Sequence, residues 1–251
     1  MQNISLSHIR KKYKKMEVHQ HPIKPVTLTY YDDTHQYIDS NGHKYKSVSG
    51  WVSSFFEEFN TEKIATACAI KRGVSKQSLI DEWRHLGEVA SFKGDTVHNM
   101  LASKFNQIVF NITNQNKKIV HQHQNQIDYI YDALIKILDP VNIEHIIFDP
   151  CRKIAGTYDA LFITKDKTKY ILIDWKTSKE IATTTQYNKW GYRPYEDLPD
   201  CNFIHYSLQL AEYERILKTQ GYLKYKIPLI KKIVHVTESY SKSYLVKQVS
   251  L

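Results

Sequence analysis

Three residues of chemically useful type converge if one short turn forms where the sequence places it. Lys165-Asp166-Lys167-Thr168 is a polar turn signal between two apolar runs, residues 154–164 and 169–176. A two-residue loop at Asp166-Lys167 makes Asp159 and Asp174 direct cross-strand neighbours, with Cβ atoms about 4.5–5.5 Å apart. Lys176 lies two residues beyond Asp174 and therefore on the same face. Leu161, Ile163 and Leu172 share that face, while Ala160, Phe162, Ile171 and Ile173 fill the other, so the hairpin is expected to be buried on both sides. Two adjacent carboxylates in such a setting repel, and one pKa rises unless a cation neutralises them. Lys176 can do this as a buried ion pair that merely holds the hairpin. A divalent cation does it better, since two carboxylates with water and substrate phosphates make a typical Mg²⁺ set. The three residues alone leave both readings open.

A scaffold must position that hairpin. Residues 26–38 and 44–48, on either side of Ser40-Asn41-Gly42, predict a β-hairpin. Helical patterns cover 51–59, 61–72, a longer stretch from 79 to 105 with a break near Gly94, and 122–138, stopping at Asp139-Pro140. Strands are expected at 143–148, 154–164, 169–176, 231–236 and 244–249, with a helix over 203–219 closed by Gly221. The sum is a mixed α/β domain with a mainly helical N-terminal half.

Composition narrows the partners. A chain of 251 residues with 42% hydrophobic and 24% charged residues can bury a core, which excludes intrinsic disorder. No apolar run approaches the ~18 residues of a membrane span. Cys68, Cys151 and Cys201 lie far apart, which excludes a disulfide scaffold or a CxxC-type zinc module and fits a reducing, intracellular setting. A net charge of +9 favours polyanions, nucleic acid before acidic membrane. Arg10, Lys11, Lys12, Lys14 and Lys15 make the start of the chain basic without a secretory apolar segment, so it reads as a phosphate-contacting arm, a weak organelle-targeting segment or, first of all, a solvated terminus. His19, His21, His121 and His123 have no partner ligands at recognisable spacing and read as solvated.

The hairpin also carries a resemblance. Gly156-Thr-Tyr-Asp159 followed by Ile173-Asp174-Trp175-Lys176-Thr177 resembles the G-x-x-D…D-W-K-T pattern of the PD-(D/E)XK nuclease superfamily, in particular its RecB-like exonuclease branch. Gly94-Asp-Thr-Val-His98 and Gln209-Leu-Ala-Glu-Tyr213 are similar to two further motifs of that branch, in the same order. The branch includes the mitochondrial genome-maintenance exonucleases, and residues 197–209 also resemble members from phages and large DNA viruses. The matching segment runs from about 94 to 236. The resemblance implies a restriction-endonuclease-like core over 94–251, with a central mixed β-sheet flanked by helices. Before it come a β-hairpin and helical region (26–93) and a basic arm (1–25).

The resemblance further implies a Mg²⁺- or Mn²⁺-dependent deoxyribonuclease that hydrolyses phosphodiester bonds in replication, recombination or repair. It would be an exonuclease on ends or single strands, with a structure-specific endonuclease as the alternative. A non-cutting nucleic-acid-binding module is the rival from outside enzymes, and RNA is a possible substrate. Asp159 and Asp174 would hold metal, with the Trp175 backbone carbonyl, and Lys176 would position water. His98 shares a helical stripe with Leu101, Ala102 and Phe105, which suits a core histidine, but the resemblance makes it a metal ligand. Glu144 opens a strand and is either a further ligand or a surface residue. Gln209 and Tyr213 would orient the lysine or the DNA. Trp190, Tyr192 and Arg193 mix aromatic and cationic groups in a loop that either tucks inward or grips a single strand. The cluster-bearing relatives carry four cysteines around the core, so three misplaced ones imply no iron–sulfur cofactor.

Overall fold

The structure, a computed structural model, describes residues 16–185 and 187–246, and the basic run from Arg10 to Lys15 lies outside them. Among the described residues, nine strands join one mixed sheet. β1 (Met16–Gln20), β2 (Thr27–Tyr31), β3 (Gln36–Asp39) and β4 (Lys44–Ser47) form an antiparallel meander. The expected hairpin about Ser40-Asn41-Gly42 joins β3 to β4, with Gly42 at φ 82°, where a glycine costs no strain. Residues 26–38 are not one strand. The polar run Asp32-Asp33-Thr34 turns the chain back on itself, as side chains that bond local backbone tend to do. β1 also brings residues 16–20 of the supposed arm into the sheet.

β5 (Leu138–Asp149) and β7 (Tyr170–Lys176) flank β6 (Ile154–Thr164) antiparallel, and β8 (Leu229–Val236) runs parallel to β7 before turning into β9 (Ser241–Val246). A parallel pair needs a crossover, here α5 (Asn202–Thr219). The other helices are α1 (Val48–Ser53), α2 (Thr61–Arg72), α3 (Lys76–Phe105) and α4 (Lys117–Ile135). α4 ends before the expected stop, and Asp139-Pro140 belong to β5. There a register shift between Pro140 and Asn142 accommodates the missing N–H.

α3 runs unbroken for 30 residues, so a division of the chain at residue 93 or 94 falls inside it. At Gly94 the helix passes close to the end of β7: a Cβ there would stand 3.4 Å from Thr177 Oγ1, an ordinary contact distance.

Helices cover both faces of the sheet. Leu210, Tyr213 and Ile216 of α5 pack on Leu161, Ile163 and Leu172. Val97, Leu101 and Phe105 of α3 and Ile127 of α4 pack on Ala160, Phe162 and Trp175. Two histidines that spacing suggested were solvated are buried. His21 packs against Phe148 and Tyr222 and accepts the N–H groups of Ile23 and Lys24, and His123 donates from Nδ1 to the Ile119 carbonyl. None of the helices among the described residues is long and apolar enough to cross a membrane.

Asp39 ties the meander to β6. Its buried carboxylate accepts from Lys153 Nζ at 2.9 Å, from Tyr45 Oη at 3.1 Å and from the N–H groups of Asn41 and His43. Burial pushes this carboxyl up, but the lysine and the hydrogen bonds outweigh it and hold it well below the usual range. A depressed folded-state pKa contributes stability above the unfolded value of about 3.9, and that contribution is lost as pH falls through the folded value. Asp39→Asn is therefore expected to lower stability at pH 7, with the gap to wild type narrowing below about pH 4. Urea denaturation across pH 7 to 3 reads this directly. A gap that stays constant would contradict it.

Candidate metal centre

The site forms where β6 changes partners. One edge of β6 pairs with β5 throughout. On the other edge β4 meets Ile154 and Ala155, and β7 meets residues 160–163, so among the described residues 156–159 have no ladder partner there. Side chains fill the gap. Tyr213 Oη donates to the Thr157 carbonyl at 2.7 Å, and the Trp175 N–H donates to Asp159 Oδ2 at 2.6 Å.

The β6–β7 turn takes residues 165–168 rather than two, with Thr164 N–H bonded to the Lys169 carbonyl. The register is still the one the turn signal predicts. Ala160 faces Ile173 and Leu161 faces Leu172, which sets Asp159 opposite Asp174. Strict alternation lapses at this point. Tyr158 and Leu161 both pack on the α5 side, and Asp159 turns toward α3. Across the β5 ladder, Ile143 pairs with Ala160 and His145 with Tyr158, and Glu144 between them takes a left-handed φ of 49°. Such a conformation costs a non-glycine residue of order 1–3 kcal/mol and persists only where the surroundings impose it. The two irregularities aim both carboxylates at α3. Asp174 and Lys176 stay on the α5 side with Leu172, so the three residues expected on one face meet across a boundary instead.

His98 is the third member. Its Nδ1 lies 3.4 Å from Asp159 Oδ1 and 3.7 Å from Glu144 Oε1, while Nε2 donates to the Trp175 carbonyl at 3.0 Å. A carbonyl only accepts, so Nε2 carries a proton and Nδ1 faces the carboxylates. One ligand atom from each of His98, Glu144 and Asp159 lies within 4.8 Å of the others. Asp174 is held apart from this trio by Lys176, whose Nζ is 2.7 Å from its Oδ2 and 4.5 Å from the centre of the Tyr206 ring.

The charges sense one another. Burial disfavours the His98 imidazolium, yet Asp159 and Glu144 raise its pKa well above the ordinary value. Burial lifts Asp159 as well, and His98, Lys176 and the Trp175 N–H more than reverse that. Asp174 goes the other way: burial raises it, Lys176 pulls it back and Asp159 raises it again, leaving it at about 6. A site with three carboxylates against one imidazole and one lysine is short of positive charge.

Gln209 and Tyr213 act on the strand. Gln209 Nε2 donates to Tyr213 Oη at 3.2 Å, and the fully buried Tyr213 braces Thr157. Gly156 makes room for it, since a Cβ there would lie 2.9 Å from Tyr213 Cε1. Neither residue is hydrogen-bonded to Lys176 among the described residues. Tyr206 of α5, which the sequence analysis does not single out, is the ring beneath the lysine. The only signal for it is its position three residues before Gln209 on one helical face. Trp190 and Tyr192 are about half exposed, Tyr187 is 79% exposed and Arg193 is exposed, whereas Tyr195 tucks against Phe55.

No family model matches the chain, and no curated protein matches it either. Among solved structures, the one described as the crystal structure of SSO0001 is 13% identical over 59% of this chain and 75% of that one, with a TM-score of 0.23. A superposition that loose carries no argument about fold or activity.

Proposed function

We propose that the protein is a Mg²⁺- or Mn²⁺-dependent deoxyribonuclease on a restriction-endonuclease-like core, acting as an exonuclease on DNA ends or single strands in replication, recombination or repair. The observation that carries this reading is the meeting of His98, Glu144 and Asp159 within 4.8 Å, beside the Asp174–Lys176 pair. Carboxylate and carbonyl oxygens with one imidazole suit a hard divalent cation, and no cysteine belongs to the cluster. His98 Nδ1 faces both carboxylates, where such a cation would balance their charge.

When bound, the cation supplies Lewis acidity to a phosphoryl oxygen and lowers the pKa of a nearby water. The remaining work belongs to the chain. Asp159, Glu144 and His98 Nδ1 would hold the cation, and Asp174 and the Trp175 carbonyl would join them on leaving Lys176 and His98 Nε2, their present partners. Lys176, kept charged by Asp174 and Asp159 despite its burial, orients water and offsets charge that develops on the phosphate. Gln209 and Tyr213 keep β6 rigid so that Asp159 stays aimed. Tyr187, Trp190 and Tyr192 offer faces on which unpaired bases stack, and Arg193 meets phosphate.

The test compares end-labelled linear single strands, linear duplex and closed circles with Mg²⁺, Mn²⁺ or EDTA. Metal-dependent loss of linear DNA, single strands fastest, is the expected result. Cutting of circles would replace the exonuclease with an endonuclease. No cutting of any DNA or RNA would leave a binding module.

A further inference from the structure

A cleft of about 290 Å³ opens between α3, the exit of β7 and the β8–β9 turn, lined by Lys93, Ser178, Lys179, Ser239 and Tyr240, with Glu238 at its wall. Its place follows from the path of α3. His98 meets the Trp175 carbonyl, Gly94 meets Thr177, and Lys93 reaches the cleft beyond them. Five residues of helix separate Lys93 from His98, a rise of about 7.5 Å. The cleft thus lies on the N-terminal side of the metal centre along the same helix.

The walls are preformed. His235, itself buried, bonds the Ser178 carbonyl through Nε2 at 2.7 Å and packs edge-on to Tyr240. Thr237 Oγ1 accepts the N–H groups of Ser239 and Tyr240, which locks the turn. Among the described residues, neither Lys93 nor Lys179 has an acidic partner within ion-pair distance, so both ammonium groups are available to a ligand in the cleft. Glu238 accepts from Gln122 of α4 rather than from either lysine.

We propose that this cleft is a second phosphate subsite, in which Lys93 and Lys179, with the Ser239 and Tyr240 hydroxyls, hold a backbone phosphodiester of the strand next to the one at the metal centre. This rests on the nuclease reading for the strand's identity, but its test does not require cleavage. Two unpaired cations across a cleft with hydroxyl donors are the chemistry that recognises a phosphodiester without reading its base. The subsite would fix the direction in which the strand leaves the centre.

The experiment measures the affinity of the full chain for a fluorescent oligothymidylate by anisotropy, in EDTA, over a range of salt. Wild type is compared with Lys93→Ala, Lys179→Ala, Lys93→Arg and Glu238→Gln, with melting curves as a check on folding. Each alanine variant should weaken binding several-fold and reduce the magnitude of the log–log salt slope by about 0.7, the value for one phosphate contact on a single strand. Lys93→Arg should restore the slope, and Glu238→Gln should tighten binding. Alanine variants that bind with wild-type affinity and slope would overturn the subsite, whatever the nuclease assay shows. If the slope changes but no metal supports cleavage, the subsite stands and the nuclease reading fails.

Discussion

Asp159→Asn is expected to cut the rate of DNA hydrolysis by at least about 10³-fold, equivalent to roughly 4 kcal/mol of transition-state stabilisation. The substitution is nearly isosteric. An asparagine carbonyl oxygen can still accept the Trp175 N–H that bonds Asp159 Oδ2, so the β6–β7 boundary should survive. What disappears is a negative charge shared by the proposed cation site, His98 and Lys176. Binding of a single strand in EDTA should be kept or tightened, since a charge that repels phosphate has gone. Asp159 is the principal group raising His98, so the imidazole pKa should fall in the variant, as an NMR titration would read. Unchanged cleavage would remove Asp159 from the site, and a His98 pKa that does not move would contradict the geometry itself.

Glu212→Ala should destabilise the fold by about 3 kcal/mol, with a fall of roughly 6–12 °C in Tm for a chain of this size. Glu212 is fully buried on α5, yet both its oxygens are occupied. Arg152 Nη1 reaches Oε1 at 2.8 Å, and Arg215 adds bonds from Nε and Nη2. Arg215 continues to Asp149, whose other oxygen accepts the N–H groups of Cys151 and Arg152 in the β5–β6 turn. The network thus fastens α5 to the turn that starts β6, the strand that carries Asp159. Alanine would leave two guanidinium groups partly buried around an empty position, while Arg215 keeps Asp149, which is why the loss is set at the lower end for a broken buried pair. Thermal unfolding checks it, and a shift of a degree or less would show that the arginines find water at no cost.

Local pattern made much of this legible. The polar turn at 165–168 sets the β6–β7 register, and that register brings Asp159 opposite Asp174. The 61–72 helix and the 154–164 strand have the bounds that periodicity predicts. What escaped depends on contacts between residues distant in sequence. Nothing near Gly94 says that the helix continues past it, alongside the end of β7. Alternation places Asp159 with Leu161, and only the left-handed backbone of Glu144 on the facing strand accompanies its turn to His98. Glu212 sits inside the Q-x-x-x-Y stretch, but its burial follows from two arginines remote in sequence or on the next turn of helix. For His21 too, burial is set by the Phe148 and Tyr222 rings, which no spacing rule reaches.

The most direct measurement takes protein stripped with EDTA and follows hydrolysis of an end-labelled single strand as Mg²⁺ or Mn²⁺ is restored, wild type beside Asp174→Ala. Cleavage that is absent without metal, returns with it and is abolished in the variant, while the variant still binds the strand, is the predicted result. Cleavage that persists in EDTA or survives Asp174→Ala, or a wild type that cuts neither DNA nor RNA with either metal, would contradict the account.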